Sequence, residues 1–188
     1  LTAHGAGSYT SRTVTKRWNR RCEQLADAAE RFSSAALIHG FGKYPQYGMD
    51  TAWKKVISHH FHDDITGTSF EKCYKRSHND YVQAMNTFSA EYEASCKRIA
   101  ENLDTSFVKG IPVIVSNPVQ NKASRKEAVR VTFLSDKESF RVFDKNGNAV
   151  PSQMRKLTDG YKEVTFIADV LSCGLAVYDL REISEGQP

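Results

Sequence analysis

One change of rhythm divides this chain. Before Gly110 the apolar residues recur every three or four positions, and after it they recur every second position. The first spacing belongs to amphipathic helices and the second to half-buried strands, so helices come first and strands follow. A run of helices followed by a run of strands gives an α+β chain in which each half builds its own core.

The helical half divides at its glycines and prolines. Val14, Trp18, Cys22, Leu25, Ala29, Phe32 and Ala36 lie on one stripe, which predicts a helix from about Ser11 to His39. Gly40, Gly42 and Pro45 end it, and Asp50 is the expected cap of a second helix with Trp53, Val56, Ile57, His60 and Phe61 along one side. Thr68 followed by Glu71 spells a capping box, which predicts a third helix from Ser69 to about Leu103. Its Tyr74, Tyr81, Met85, Phe88, Tyr92, Cys96, Ile99 and Leu103 approach a heptad seam. Three matching stripes predict a three-helix bundle over residues 1–105.

Residues 106–188 are expected to form antiparallel β-sandwich strands. Ile111–Val115, Val129–Phe133, Phe140–Phe143, Ala149–Val150, Glu163–Ala168 and Gly174–Leu180 have strand patterns, and Asn146-Gly147 marks a hairpin.

Composition enters through what it excludes. Of 188 residues, 40% are apolar and 26% charged, which is ordinary globular usage. A net charge of +4 is too small to imply nucleic acid without a patch, and Lys16, Arg17, Arg20 and Arg21 lack the interleaved aromatic residues of a strand-binding surface. No apolar run reaches the roughly 18 residues of a membrane helix. Cys22, Cys73, Cys96 and Cys173 form no C-x-x-C pair, and free buried thiols are expected. No N-glycosylation sequon occurs (Asn86-Thr87-Phe88 is the nearest), which favours a bacterial cytoplasm or periplasm. The chain opens on Leu1 in what reads as a loop, so a piece of a longer protein is expected.

Chemistry concentrates in His59-His60-Phe61-His62-Asp63-Asp64-Ile65-Thr66-Gly67-Thr68. Three imidazoles and two carboxylates suit a divalent metal or an acid/base pair, and equally a polar helix end. His4, His39 and His78 are isolated, and structural or surface roles are expected for them.

The spelling of this stretch is more specific. His62-Asp63-Asp64-Ile65-Thr66-Gly67-Thr68 resembles the His-Asp-Ala-Ile/Val-Thr/Ser-Gly-Thr segment of the family 38 α-mannosidases. Tyr9-Thr10-Ser11-Arg12, Lys16-Arg17, Asn19-Arg20 and Asn79-Asp80-Tyr81 are similar to landmarks of that family's helical domain. Val115–Pro118, Val150–Gln153, Ala168–Val170 and Gly174–Tyr178 are similar to landmarks of its β region.

The resemblance implies a zinc-dependent retaining exo-α-mannosidase acting on terminal α-mannosyl residues of oligosaccharides. His62 matches a zinc ligand and Asp63 a contact to the sugar hydroxyls. Phe61 and Asp64 depart from the family's usual His and Ala and inherit no role; His59 and His60 are expected to be bystanders. The one zinc ion would be shared with a catalytic domain outside this sequence, so no catalytic residue is expected here, and the chain alone is expected to be inactive. The partners implied are a mannose-containing oligosaccharide and the rest of the parent enzyme, with neither nucleic acid nor membrane, and homo-oligomerisation left open. The alternative is a non-catalytic interaction module of a larger carbohydrate-active protein.

Overall fold

The computed structural model describes residues 5–8, 10–120 and 124–183; His4 and Tyr9 lie outside the described residues. The described residues form three helices, α1 (Thr13–Ile38), α2 (Gln46–Ser58) and α3 (Glu71–Ala100). Seven strands follow: β1 (Ile111–Asn117), β2 (Arg125–Leu134), β3 (Phe140–Phe143), β4 (Ala149–Val150), β5 (Ser152–Lys156), β6 (Tyr161–Val170) and β7 (Gly174–Glu182). The chain falls into two compact units, Leu1–Asn102 and Leu103–Pro188, with the division three residues before the expected 105/106 boundary.

In the helical unit, small residues on α1 let α3 approach closely. Cys22, Ala26 and Ala29 are fully buried against Tyr81, Ala84 and Phe88 of α3 and Met49, Ala52 and Val56 of α2. On α3 the buried set Tyr74, Ser77, Tyr81, Ala84 and Phe88 alternates gaps of three and four, the seam of a bundle. Val14, expected in the core, is 40% exposed, and Thr15 is buried in its place, with its hydroxyl 3.3 Å from His78 Nε2. Ser33 and Ser95 share a buried hydrogen bond of 2.9 Å. Ser33→Ala would leave the Ser95 hydroxyl unpaired, and should cost about 1–3 kcal/mol in denaturant unfolding.

Three local expectations in this unit are corrected. Helix α2 begins at Gln46, four residues before Asp50, with Pro45 at the N-cap position, where its carbonyl accepts the Met49 N–H at 3.0 Å. Ile57 and Phe61 are 58% and 56% exposed; the buried stripe runs instead through Met49, Ala52 and Val56 to His59. The expected capping box does not form: α3 begins at Glu71 after Phe70, with no side-chain cap, since Thr68 spends its hydroxyl on Asp63.

In the β unit, one sheet has the order β1-β7-β3-β4 and the other β2-β6-β5. All pairings are antiparallel, with Ile111 opposite Leu180 and Val131 opposite Val164 in register. Val113, Val142, Tyr178 and Leu180 from the first sheet share a core with Val164, Phe166, Ala168 and Val170 from the second. Every second residue of β6 therefore faces inward, as a sandwich requires. Strand β5, Ser152–Lys156, has almost no apolar residues and was invisible to patterning; it lies at the edge of its sheet.

One corner fixes the start of β1. Asp179 is fully buried and accepts the backbone N–H groups of Lys109 (2.8 Å) and Gly110 (2.9 Å) and the Arg181 guanidinium (2.5 Å). Beside it, a Cβ at Gly110 would stand 2.3 Å from the Leu180 carbonyl oxygen, so the backbones meet only because residue 110 is glycine.

None of the four cysteines, all among the described residues, forms a disulfide. Cys22 is buried, Cys96 partly so, and Cys73 and Cys173 are exposed, which corrects the expectation of buried thiols throughout. Burial, and secondarily the charge of Glu23, push the Cys22 thiol up to about 11, away from reactivity.

Candidate functional site

The His59–Thr68 stretch is a turn bound on both sides, and no part of it continues α2. The helix stops at Ser58, and the next residues close a compact bend. Asp64 and Ile65 donate their N–H groups to the Phe61 carbonyl at 2.9 and 3.1 Å. The Asp63 carbonyl accepts from Thr68 N (3.1 Å), Ser69 N (2.8 Å) and the Tyr74 hydroxyl (3.2 Å). Gly67 has φ +96°, and a Cβ there would meet the Ser11 side-chain oxygen at 2.6 Å and the Ser11 carbonyl oxygen at 3.1 Å. Glycine is thus needed twice, for dihedral and for room.

The start of α1 supplies the outer wall. Lys16 donates to the carbonyl oxygens of Ser11 and, at 3.3 Å, of Thr66, and partial burial lowers its pKa. Ser11 Oγ donates to Gly67 O at 3.4 Å, and His60 Nε2 lies 2.7 Å from Asn19 Oδ1. Arg12 rests its guanidinium on the Tyr74 ring, 4.4 Å from its centre. Two of the four basic residues in the first half of α1 are thereby accounted for: Lys16 holds this turn, and Arg20 pairs with Glu23 at 2.8 Å.

The inner wall is ionic. His59 is 7% exposed, with Nδ1 2.6 Å from Asp64 Oδ2 and Nε2 3.1 Å from Asp80 Oδ2. Ser77 donates to Asp64 Oδ2 at 2.6 Å, and Lys55 reaches Asp80 Oδ1 at 3.1 Å. Burial opposes the charge on Asp80, but hydrogen bonds from Lys55 and His59 and their charges hold its pKa below the ordinary value. His59 and Asp64, expected to be bystanders, are the buried anchors of the turn. Sequence reasoning missed them because their partner Asp80 lies on α3, 21 residues away from His59.

His62 and Asp63 occupy the outer crest. Their side chains are 77% and 49% exposed, with Nε2 of one 3.4 Å from Oδ2 of the other. Phe61 leans on the His62 ring at 4.2 Å, and Thr68 donates to Asp63 Oδ1 at 2.9 Å. The Thr66 hydroxyl donates to the His62 carbonyl. Among the described residues no group of three or more His, Cys, Asp or Glu could hold a metal ion. His39 is exposed and stacks on Phe41, and His78 packs against Trp18, so neither joins the crest.

Comparisons with known proteins agree on this framework. Residues 4–99 match the α-mannosidase middle-domain family model. Over 71 residues, 37% of the chain, it is 38% identical to α-mannosidase G of Dictyostelium discoideum, and over 76 residues, 40% of the chain, it is 32% identical to α-mannosidase 2C1 of Mus musculus. These matches span 6% and 7% of those proteins, a small part of their length.

Two solved structures from Enterococcus faecalis share the fold over 96% of the chain. An α-mannosidase superposes with TM-score 0.78 at 20% identity, and a protein of glycosyl hydrolase family 38 with TM-score 0.74 at 19% identity; the chain covers 24% and 26% of them. A helical unit matched by the family model over residues 4–99, about half of the chain, leaves one assignment: the chain belongs to the α-mannosidase middle-domain family.

Proposed function

We propose that this chain serves a zinc-dependent retaining exo-α-mannosidase that removes terminal α-mannosyl residues from oligosaccharides. His62 is one ligand of the zinc ion, and Asp63 binds hydroxyls of the sugar. The carrying observation is the contrast within the turn: a backbone fixed from both sides presents a largely exposed imidazole and a half-exposed carboxylate whose near partners are each other and Thr68 of the same turn. One nitrogen and one carboxylate oxygen are donors that zinc accepts, but a catalytic zinc takes three protein ligands. Two donors on one crest therefore suit an ion completed by residues from outside this chain, as do the nucleophile and the acid/base.

When bound, zinc would supply Lewis-acid binding of sugar hydroxyls. The residues of this chain orient and hold. Asp63, with one oxygen fixed by Thr68, would turn the other, now 3.4 Å from His62 Nε2, to a charge-assisted hydrogen bond with a hydroxyl. Thr66 and Tyr74 restrain the backbone beneath both side chains.

Calorimetric zinc titration of the full-length enzyme tests the assignment. His62→Ala is expected to weaken binding by about 100-fold or more, at or beyond the top of the range seen for residues that only support a ligand. Unchanged affinity overturns the role of His62. The 188-residue chain alone should not hydrolyse an aryl α-mannoside, and turnover by it would overturn the shared-site reading. The non-catalytic alternative draws on Phe61 and Phe70, which are 56% and 84% exposed near the crest and could serve docking alone. Zinc binding that depends on His62 excludes it.

A further inference from the structure

We infer that His59 is a positioning residue, a buried double clamp that holds His62 and Asp63 in their working orientation. This rests on the reading of those two residues given above. The observation is one of closure: His59 and Asp64 bracket the crest in sequence, and their side chains are joined to each other at 2.6 Å. The segment between them is thus a six-residue ring closed through side chains. Inside it all four side chains reach solvent to some degree, but His60 is tied to Asn19 and Phe61 leans on the His62 ring, which leaves His62 and Asp63 as the polar pair on the outer crest.

The ring is bolted to α3 at three successive turns. Tyr74 holds the carbonyl oxygens of Asp63 (3.2 Å) and Asp64 (3.4 Å), Ser77 holds the Asp64 carboxylate (2.6 Å), and Asp80 holds the far side of His59 (3.1 Å). The charged groups facing His59 come from three sources: Asp64 in the turn, Asp80 on α3 with Arg76 3.8 Å behind it, and Lys55 on α2, bound to Asp80. The Tyr81 ring closes the remaining side at 5.2 Å. Both carboxylates receive an N–H only when both ring nitrogens carry hydrogen.

Stability does not explain such a set. An apolar group of equal volume would hold a bundle at least as well as a buried ion network. What the ions add is direction: two carboxylates on opposite edges of one ring fix its plane and its reach, and so fix where the bracketed crest stands. Deleting either partner frees the crest while leaving its own residues untouched.

The test separates orientation from folding. In the full-length enzyme, His59→Phe is expected to weaken zinc binding about 10–100-fold and to lower kcat. His59→Asn, which keeps a donor at the Nδ1 position facing Asp64 but loses the contact to Asp80, should recover only part of the affinity. The double variant His59→Phe/Asp64→Ala removes the pair together and should regain the melting temperature lost in either single variant, while zinc affinity stays low. Recovery of both properties, or a His59→Phe enzyme that binds zinc normally while His62→Ala does not, overturns the inference. Should His62→Ala leave zinc binding intact, the underlying reading falls separately, and amide exchange in the 188-residue chain still decides the clamp. His59→Phe should then speed exchange at Thr68 and Ser69 while Ala26 and Ala29 on α1 stay protected; unchanged exchange at Thr68 and Ser69 overturns the clamp.

Discussion

Asp179→Ala should unfold the β unit at much lower denaturant than the parent chain, a loss of about 3–5 kcal/mol, typical of stripping one partner from a buried charge pair. Two backbone N–H groups, of Lys109 and Gly110, and the Arg181 guanidinium all converge on this carboxylate, which has no exposed surface. Alanine leaves the three donors facing an apolar gap. Tryptophan is confined to the helical unit, at Trp18 and Trp53, so its fluorescence should report a transition little changed, while far-ultraviolet circular dichroism reports the early loss of strand signal.

The same residue sets part of the acid limb. Burial works against the Asp179 charge, but the Lys109 N–H, the Arg181 side chain and the Gly110 N–H together bring its pKa below the ordinary aspartate value. A carboxylate whose pKa is lower folded than unfolded stabilises fully above the unfolded value and loses that contribution as pH falls through the folded one. The parent β unit should therefore lose stability below about pH 4, the unfolded aspartate range. Asp179→Asn should start less stable at neutral pH and show a flatter acid limb; an unchanged slope would remove Asp179 from the account. Asp80, also lowered, acts with the same sign in the helical unit.

Gly67→Val should disable the crest more completely than any change of an exposed residue near it. Left-handed backbone costs a non-glycine residue about 1–2 kcal/mol, more for a β-branched one. The new Cβ would also press on the Ser11 side chain and carbonyl. Since the Gly67 N–H bonds the Asp64 carbonyl at 3.0 Å and its carbonyl accepts from Ser11, the displaced backbone gives up contacts to both walls. The expected result is a full-length enzyme with intact helical content and activity reduced at least 100-fold. Ser11→Gly, which removes the nearest obstructing oxygen, should restore part of it in a Gly67→Ala background. Equal activity of Gly67→Val and the parent would show that the turn tolerates another path.

The outline of the fold was readable because both halves obey simple periods. The α1 stripe through Cys22, Ala29, Phe32 and Ala36 and the alternation in β2 survive intact, because each is set by burial along a single element. Errors fell where a distant partner outbid a local signal. Thr68 has the spelling of a cap and bonds Asp63 instead, and His59 looks like one of three equivalent imidazoles until Asp80 arrives from α3. The edge strand β5 carries Gln153, Arg155 and Lys156, polar residues that an edge tolerates and a hydrophobic pattern cannot reveal. His62 and Asp63 were singled out through the wording of the segment; their exposure, and the buried network beneath them, belong to the three-dimensional arrangement.

Helix α3 has 30 residues, and the side chains through which it hydrogen-bonds the turn, Tyr74, Ser77 and Asp80, fall within its first ten. Its remaining length, about 30 Å from Asp80 to Ala100 at 1.5 Å per residue, makes no direct bond to the crest. That stretch works like the shank of a bolt, seated along Ala84 and Phe88 and bearing its head at one end. Sequence drift along the far shank should thus be nearly silent for the proposed site, and the engineer wishing to lengthen, tag or splice this chain should cut after Ala100 and leave the head alone.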